Sequence, residues 1–286
     1  MAFGNARRIL QAMSGLSAFK LLLLMVRFTR PSLAPLSTML LQPFVRDGEI
    51  PFRYREGNRH YRASIRTADL QSDLHSALEV IVRKVYAMDP LFAPDLVIDG
   101  GANIGLFSLQ AAAIYPSAKI VMCEPLPRNI TQAQKLLSTN HVAADLLPVC
   151  IGGTHRTIPF YCRTANDSSF DGTEPYMSVL EIEVLRLRDI SERQPAKRVL
   201  IKLDIEGMEI ESLQGYVPTE SRSVIILGEL HKHKETRPIM EALFAEYGWS
   251  FEVGDLSGDD TIFEAHSPAT RTRTLEEASK LTELRA

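Results

Sequence analysis

Four short stretches place acids, amides and a histidine at the ends of apolar runs, where a folded chain can bring them to one rim. The first, "LVIDGGANIG" at residues 96–105, ends a greasy run on Asp99 and then breaks into Gly101, Asn103 and Gly105. The second, "KIVMCEPLPRN", reaches Glu124 twenty-five positions after Asp99, with Asn129 close behind. The third, "KLDIEGMEIE", supplies Lys202, Asp204 and Glu206, and the fourth, "GELHKH", supplies Glu229 and His231. An acid at the end of a first strand accepts hydrogen bonds from a cationic or amino-bearing ligand. An acid at the end of the second can receive both hydroxyls of a ribose.

The glycines narrow the ligand. Gly101 permits a tight turn and a close approach to the backbone, and Gly105 lets the following helix pack hard on its strand. The start of that helix offers unpaired N–H groups and the positive end of a dipole. A dinucleotide site wants G-x-G-x-x-G with its central glycine against a pyrophosphate, and here Asn103 takes that place. S-adenosylmethionine brings a sulfonium, an α-amino group and a ribose, and no phosphate. It suits the two acids better than a nicotinamide dinucleotide does.

Methyl transfer from a sulfonium to a hydroxyl asks for alignment, exclusion of water and a place for the departing proton. A spacing of two puts Asp204 with Glu206, and Glu229 with His231, on one face of an extended chain. Three roles stay open for these side chains. His231, oriented by a carboxylate, could serve as general base near neutral pH. The carboxylates and His231 could instead hold a divalent cation that lowers the acceptor's pKa. Alternatively, Lys202 neutralises Asp204 or Glu206 in a salt network. His233 is expected on the opposite, solvated face, and His60, His75, His141, His155 and His266 read as surface or packing residues.

The elements that must position these residues follow Pro94. Strands "DLVIDG", "AKIVMCEP", "DLLPVCI", "RVLIKLDIEG" and "SVIILGELH" are apolar throughout and alternate with helical segments. That pattern implies a mostly parallel α/β sheet covered on both faces, with its ligand crevice at the carboxyl ends where the strand order reverses. "TIPFYCR" and "SVLEIEVLRL" flank a polar segment at 164–176 that reads as an acceptor-binding lid or an inert connector, and "WSFEVG" and "TIFEAH" close the sheet. Upstream, "IPFRYREGNRHYRASIRT" is expected to form a hairpin turning at Gly57-Asn58. A helix follows, capped by Ser72 or Asp73, with an apolar face of Leu74, Leu78, Ile81, Val82 and Val85 and a stop at Pro90. Asp73 could also reach the amino-acid end of the cofactor.

The chain has 286 residues, 45% of them hydrophobic, enough for one large α/β domain with decoration. A net charge of −3 gives no electrostatic case for nucleic acid. Cys123, Cys150 and Cys162 show no metal or disulfide spacing and read as core residues of a cytoplasmic protein. Residues 1–46 contain no acid but carry Arg7, Arg8, Lys20, Arg27, Arg30 and Arg46, so the remainder of the chain stands at −9. Within them Ile9, Met13, Leu16, Phe19, Leu23 and Val26 recur at helical spacing, and the apolar run at 21–26 is too short to span a bilayer. Such a helix fits peripheral contact with anionic lipid, packing on the domain or on a second subunit, or a targeting role.

The blocks "LVIDGGANIGLFS", "KIVMCEPLPRN", "VLIKLDIEGMEIESLQG" and "ILGELHKH", in that order, resemble the FkbM-type family of S-adenosylmethionine-dependent methyltransferases. The resemblance implies a class I, Rossmann-like methyltransferase fold and O-methylation of hydroxyls on polyketides, sugars or glycolipids. It places Asp99, Gly101, Asn103, Gly105, Glu124 and Asn129 at the cofactor, and Lys202, Asp204, Glu206 and Gly207 in the signature after the fourth strand. The chain departs from the family pattern at Gly100, Met208 and Gly152-Gly153. The organisation expected is a basic N-terminal helix and linker (1–46), a hairpin and cap helix (47–94), the methyltransferase domain (95–268) and a C-terminal helix or tail (269–286). Two alternatives remain: an NAD(P)-dependent oxidoreductase, and a membrane-docked nucleoside-binding protein without activity.

Overall fold

The computed structural model describes residues 16, 19–22, 40–162, 168–169, 178–216, 222–254 and 261–270. The N-terminal helix, the polar segment at 164–176 and the tail at 269–286 therefore lie largely outside the described residues.

Strands β1 (Glu49–Glu56) and β2 (Arg59–Arg66) pair antiparallel as the expected hairpin. Ile50, Phe52, Tyr54, Tyr61, Ala63 and Ile65 alternate onto one face and are buried, and Gly57 supplies a left-handed φ of 56° at the turn. Helix α1 (Leu70–Ala77) runs directly into a π-helix (Leu78–Arg83), which Lys84 ends in a left-handed conformation. This corrects the expected helix. Its N-cap position is Asp69, Asp73 lies in the first turn, and the element stops well before Pro90.

Seven strands form the central sheet: β3 (Leu96–Gly100), β4 (Lys119–Cys123), β5 (Asp145–Leu147), β10 (Arg198–Leu203), β11 (Ser223–Leu230), β12 (Ser250–Val253) and β13 (Thr261–His266). Their order is β12-β13-β11-β10-β3-β4-β5. All pairings from β11 to β5 are parallel, and β13 runs antiparallel to both its neighbours. Alternate residues feed two cores. Val97, Leu200 and Ile225 join one cluster, whereas Leu96, Ile98, Val199 and Ile201 join the other. Burial on both faces is why these strands read as unbroken apolar runs.

Helices α2 (Leu106–Ile114), α3 (Pro127–Thr139), α4 (Leu187–Glu192), α5 (Glu209–Gln214) and α6 (His233–Glu246) accompany the sheet. The run "DLLPVCI" is not one strand. Pro148 has no N–H to continue the ladder, and after it β6 (Cys150–Gly152) leaves the main sheet. It joins β7 (Arg156–Cys162), β8 (Ser168–Ser169) and β9 (Ser178–Arg186) in a second sheet of order β6-β9-β7-β8. The architecture is the class I, Rossmann-like methyltransferase fold, α/β with a mostly parallel sheet.

Candidate active site

The strand order reverses between β3 and β10, which lie side by side with Asp99 opposite Lys202. Beyond their carboxyl ends opens a cleft of about 830 Å³, open solvent included. Gly101, Asn103, Glu124, Asn129, Asp204 and Glu206 all line it.

On one wall stands Glu124, at the end of β4 and only 4% exposed. Its Oε2 accepts the Asn103 N–H at 2.8 Å, and its Oε1 accepts the Leu126 N–H at 3.0 Å and the Asn129 amide at 3.2 Å. Burial raises its pKa above the ordinary carboxylate range, although these donors oppose the shift. Asn103 sits at a left-handed φ of 49° and donates to Ser76 Oγ at 2.9 Å. Its Oδ1 is a buried acceptor with no hydrogen-bond partner among the described residues. This wall therefore offers acceptors to a ligand that donates.

Three expectations for the turn need correcting. The N–H groups of Asn103 and Gly105 are not open to a ligand, because Glu124 and the Ala102 carbonyl already bind them. Gly101 has a φ of 70°, and a Cβ there would lie 1.8 Å from the Asp204 carbonyl oxygen. Its glycine is required by the crossing of two backbones. Asp99 is completely buried and does not line the cleft. Ser108 donates to its Oδ2 at 2.7 Å, its Oδ1 lies 3.7 Å from Lys202 Nζ, and burial raises its pKa. Asp99 thus holds Lys202 beneath the floor instead of meeting a ligand. Gly105, at φ 84°, packs as expected: a Cβ would meet Met122 of β4 at 3.0 Å and Ala133 of α3 at 3.3 Å.

The opposite wall is built from the ends of β10 and β11. Lys202 donates to the Gly101 carbonyl at 2.7 Å and lies 3.3 Å from Asp204 Oδ2, which also accepts the Tyr86 hydroxyl at 3.2 Å. Burial acts against the Asp204 carboxylate, yet Lys202 and His231 outweigh it and hold its pKa below the ordinary value. His231 lies between Glu206, 3.7 Å from Nε2, and Glu209, 3.3 Å from Nδ1. The second contact is an ion pair lacking hydrogen-bond alignment, since Nδ1 finds no such partner. Burial lowers the imidazole's pKa, but Glu209, Glu206 and Asp204 together push it up to about 10.

Asp204, Glu206 and His231 thus converge as expected, each offering one atom within 4.8 Å of the others. Glu229 is not in that group. It acts electrostatically on Tyr86 and His75 instead. His233 is buried at the start of α6, not solvated. Asp73, also fully buried, is held by Arg66 through its backbone N–H and two guanidinium nitrogens, and so turns away from any cofactor.

Sequence reasoning missed Glu209, Tyr86 and Arg66. Glu209 accepts the N–H groups of Ile205 at 2.9 Å and Gly207 at 3.3 Å, shaping the turn that carries Glu206. Its position beside two other acids gave no cue to burial. Arg66 links Asp73 to Asn129 Oδ1 at 2.9 Å and so ties the hairpin to the Glu124 wall. Two of the departures from the family pattern, Gly152 and Met208, lie against each other, with Val184 closer still to Gly152. A Cβ on Gly152 would lie 2.8 Å from Met208 Cε, and one on Gly153 would lie 2.6 Å from the Glu211 carbonyl oxygen.

The methyltransferase FkbM domain model matches residues 99–251, more than half of the chain. The chain belongs to the FkbM methyltransferase family. It is 28% identical over 160 residues to Methyltransferase 1 of Beauveria bassiana (strain ARSEF 2860), covering 48% of this chain and 64% of that protein. It therefore spans just under two thirds of that relative's length. It is 27% identical over 211 residues to Methyltransferase sdnD of Sordaria araneosa, covering 60% and 80%. A segment of 50 residues is 48% identical to part of the AMB antimetabolite synthetase AmbE of Pseudomonas aeruginosa, covering 17% of this FkbM chain and 2% of the synthetase. Among solved structures, the T. thermophilus 16S rRNA N2 G1207 methyltransferase (RsmC) in complex with AdoMet and guanosine aligns at 13% identity. Its TM-score is 0.42, covering 78% of this chain and 51% of that one. Family membership disfavours the nicotinamide-dependent oxidoreductase alternative. Among the described residues, no helix is long and apolar enough to cross a membrane.

Proposed function

We propose that this chain is an S-adenosylmethionine-dependent O-methyltransferase acting on a hydroxyl of a small acceptor: a sugar, glycolipid or secondary metabolite. The observation that carries the proposal is that Glu124, Asn103, Asp204 and Glu206 line one cleft, with the Asn103 Oδ1 left without a partner among the described residues. When bound, S-adenosylmethionine supplies a methyl group on a sulfonium. Glu124 would receive the ribose hydroxyls, and the orphaned Asn103 Oδ1 would accept from a ribose hydroxyl or the α-amino group. The turn suits a nucleoside better than a pyrophosphate, because the Gly101, Ala102, Asn103 and Gly105 amides already have partners. The resemblance of a short segment to an antimetabolite synthetase favours a secondary-metabolite acceptor.

His231, pushed up to about 10, is a cation at neutral pH and has no lone pair to act as base. Asp204 is ionised and faces the cleft, so it takes the role first given to the imidazole. It accepts a hydrogen bond from the acceptor hydroxyl and aligns its oxygen. The oxygen–methyl bond would form as the sulfonium–methyl bond breaks and leaves a neutral thioether. The hydroxyl proton would then be strongly acidic, and a carboxylate of low pKa would suffice to take it. Lys202 and Tyr86 hold Asp204, whose side chain stays 27% exposed.

A second reading rests on the convergence of Asp204, Glu206 and His231 within 4.8 Å. A divalent cation there would displace the imidazole proton and lower the pKa of a bound hydroxyl, against the repulsion of Lys202 3.3 Å from Asp204. Calorimetry with S-adenosylmethionine and with NAD, followed by labelled methyl transfer to a panel of hydroxylated metabolites with and without EDTA, tests both. Binding of the first ligand alone and methyl transfer unaffected by EDTA are expected. Loss of turnover in EDTA at unchanged cofactor affinity would favour the cation, and binding without any transfer would point to a non-catalytic nucleoside-binding protein.

A further inference from the structure

Asp99 and Asp73 are both fully buried and engaged with Lys202 and Arg66, so neither meets the amino-acid end of a cofactor. The end of the cleft nearest the hairpin offers other partners, for Arg66, Asp69, Ser72, Asn103 and Arg128 line it there. Asp69 at the N-cap, Ser72 and Ser76 follow one another along one face of α1. The Asn103 amide is fixed at one end of that strip by its bond to Ser76 Oγ at 2.9 Å, with its Oδ1 a buried acceptor lacking a partner among the described residues. At the other end Arg128, in the first turn of α3, brings its Nε 3.6 Å from Asp69 Oδ1.

The two cations of this lining are in different states. Arg66 is saturated: its guanidinium donates to Asp73, Asn129 and the Arg128 carbonyl, and pairs with Asp69 at 3.0 Å. Arg128 is not. Its Nε is buried with no hydrogen-bond partner among the described residues, while its side chain keeps 32% exposure. The half-buried Ser72 also has no hydrogen bond for its hydroxyl among the described residues. Asp69 already faces both arginines, so its charge is answered before a ligand enters.

We infer that Arg128 and Ser72 bind the α-carboxylate of S-adenosylmethionine, while Asn103 Oδ1 accepts from its α-amino group. This rests on the proposed cofactor and deepens it by giving its amino-acid end a site. An α-amino acid is a zwitterion and needs an acceptor and a cation in one corner. The strip along α1 supplies an acceptor at one end and an incompletely bonded guanidinium at the other. A guanidinium fork also matches the two oxygens of a carboxylate. Adenosine alone carries neither charge and leaves Arg128 without a counterpart.

Calorimetry with S-adenosylhomocysteine and with 5′-methylthioadenosine, which lacks the amino-acid end, tests this without any turnover. The wild type should bind the first more tightly. Arg128→Gln should weaken S-adenosylhomocysteine about thirtyfold, as loss of a charged hydrogen-bond partner does, and leave methylthioadenosine within about twofold. Ser72→Ala should cost the first ligand about fivefold and the second nothing. Arg128→Lys, which keeps the charge but not the fork, should recover part of the loss, and it carries the same comparison if Arg128→Gln fails to fold. Equal losses for both ligands would make Arg128 a support of the wall and overturn the inference. So would unchanged affinity for both, which would leave the guanidinium to an acidic group of the acceptor. A wild type that binds neither nucleoside would instead overturn the cofactor reading itself, and this inference with it.

Discussion

The two walls of the cleft are made of the same residue types and behave differently. On the wall proposed for the nucleoside, Glu124 engages three donors, two of them backbone N–H groups, and Arg66 of the hairpin binds both Asn129 and Asp73. On the opposite wall, Glu206 stands in a left-handed conformation with a side chain 62% exposed, and an imidazolium lies among three carboxylates. The first wall is closed on itself by its own donors, which suits the recognition role proposed for it. The second keeps its charges concentrated and partly open to solvent, as the proposed proton acceptor requires.

The largest expected effect joins the walls at their one shared point. Gly101→Ala would drive a methyl group into the Asp204 carbonyl at a φ of 70°, so the turn on one side and the strand end on the other must both move. A loss of about 3 kcal/mol or more is expected from such a backbone clash, read as a shift in the urea midpoint with the m-value unchanged. A variant as stable as the wild type would mean that the two backbones are not held together here.

Next comes a reciprocal pair. Glu124→Ala leaves the Asn103 and Leu126 amides without their partner and should weaken S-adenosylmethionine binding by about a hundredfold. Asp204→Asn should leave that affinity within a few fold while lowering kcat by about a hundredfold, as loss of a positioned proton acceptor does. Calorimetry and single-turnover rates separate the two. If both variants lost affinity equally, the walls would not divide the work.

His231 gives a smaller, pH-dependent effect. Its folded pKa of about 10 exceeds the ordinary 6.5, so its stabilisation is fully present below about 6.5 and is lost as pH rises through 10. In metal-free buffer, wild-type stability should fall between those values by at most about 1.4 kcal/mol per pH unit. His231→Gln should flatten this slope. A slope that persists in the variant would place the titrating group elsewhere.

On the Glu124 wall the glycine turn and the acid after the second strand were legible because their determinants are local, whereas Asp99, by the same strand-end cue, lies buried outside the cleft. The mostly parallel sheet followed from apolar runs alternating with helices. The opposite wall was legible only in part, because alternation carried Glu229 forward to the rim although β11 still holds it in register with β13. Meanwhile Glu209, at the start of a short helix, turned inward to bind two amides. His233 was misplaced for the same reason: the chain leaves β11 through Lys232 in a left-handed conformation, so strand parity no longer applies. The break at Pro148 was visible in the sequence, but its consequence, a second sheet, depends on pairing with β9 far along the chain.

The smallest effect concerns a residue outside every motif. Tyr86 follows the π-helix, and its hydroxyl donates to Asp204 Oδ2 at 3.2 Å while its ring lies 5.5 Å from Lys202 Nζ. It does not line the cleft, so the role proposed for it is to hold the carboxylate in one orientation. Tyr86→Phe keeps the ring and removes only that bond, about 1 kcal/mol or less for a bond of this length. Without the hydroxyl the Asp204 carboxylate is less favoured, so the acidic limb of the kcat profile should shift to higher pH, with kcat a few fold lower and cofactor affinity unchanged. If the lower rate came without any shift of that limb, Tyr86 would be packing the core below the site, not tuning the group that takes the proton.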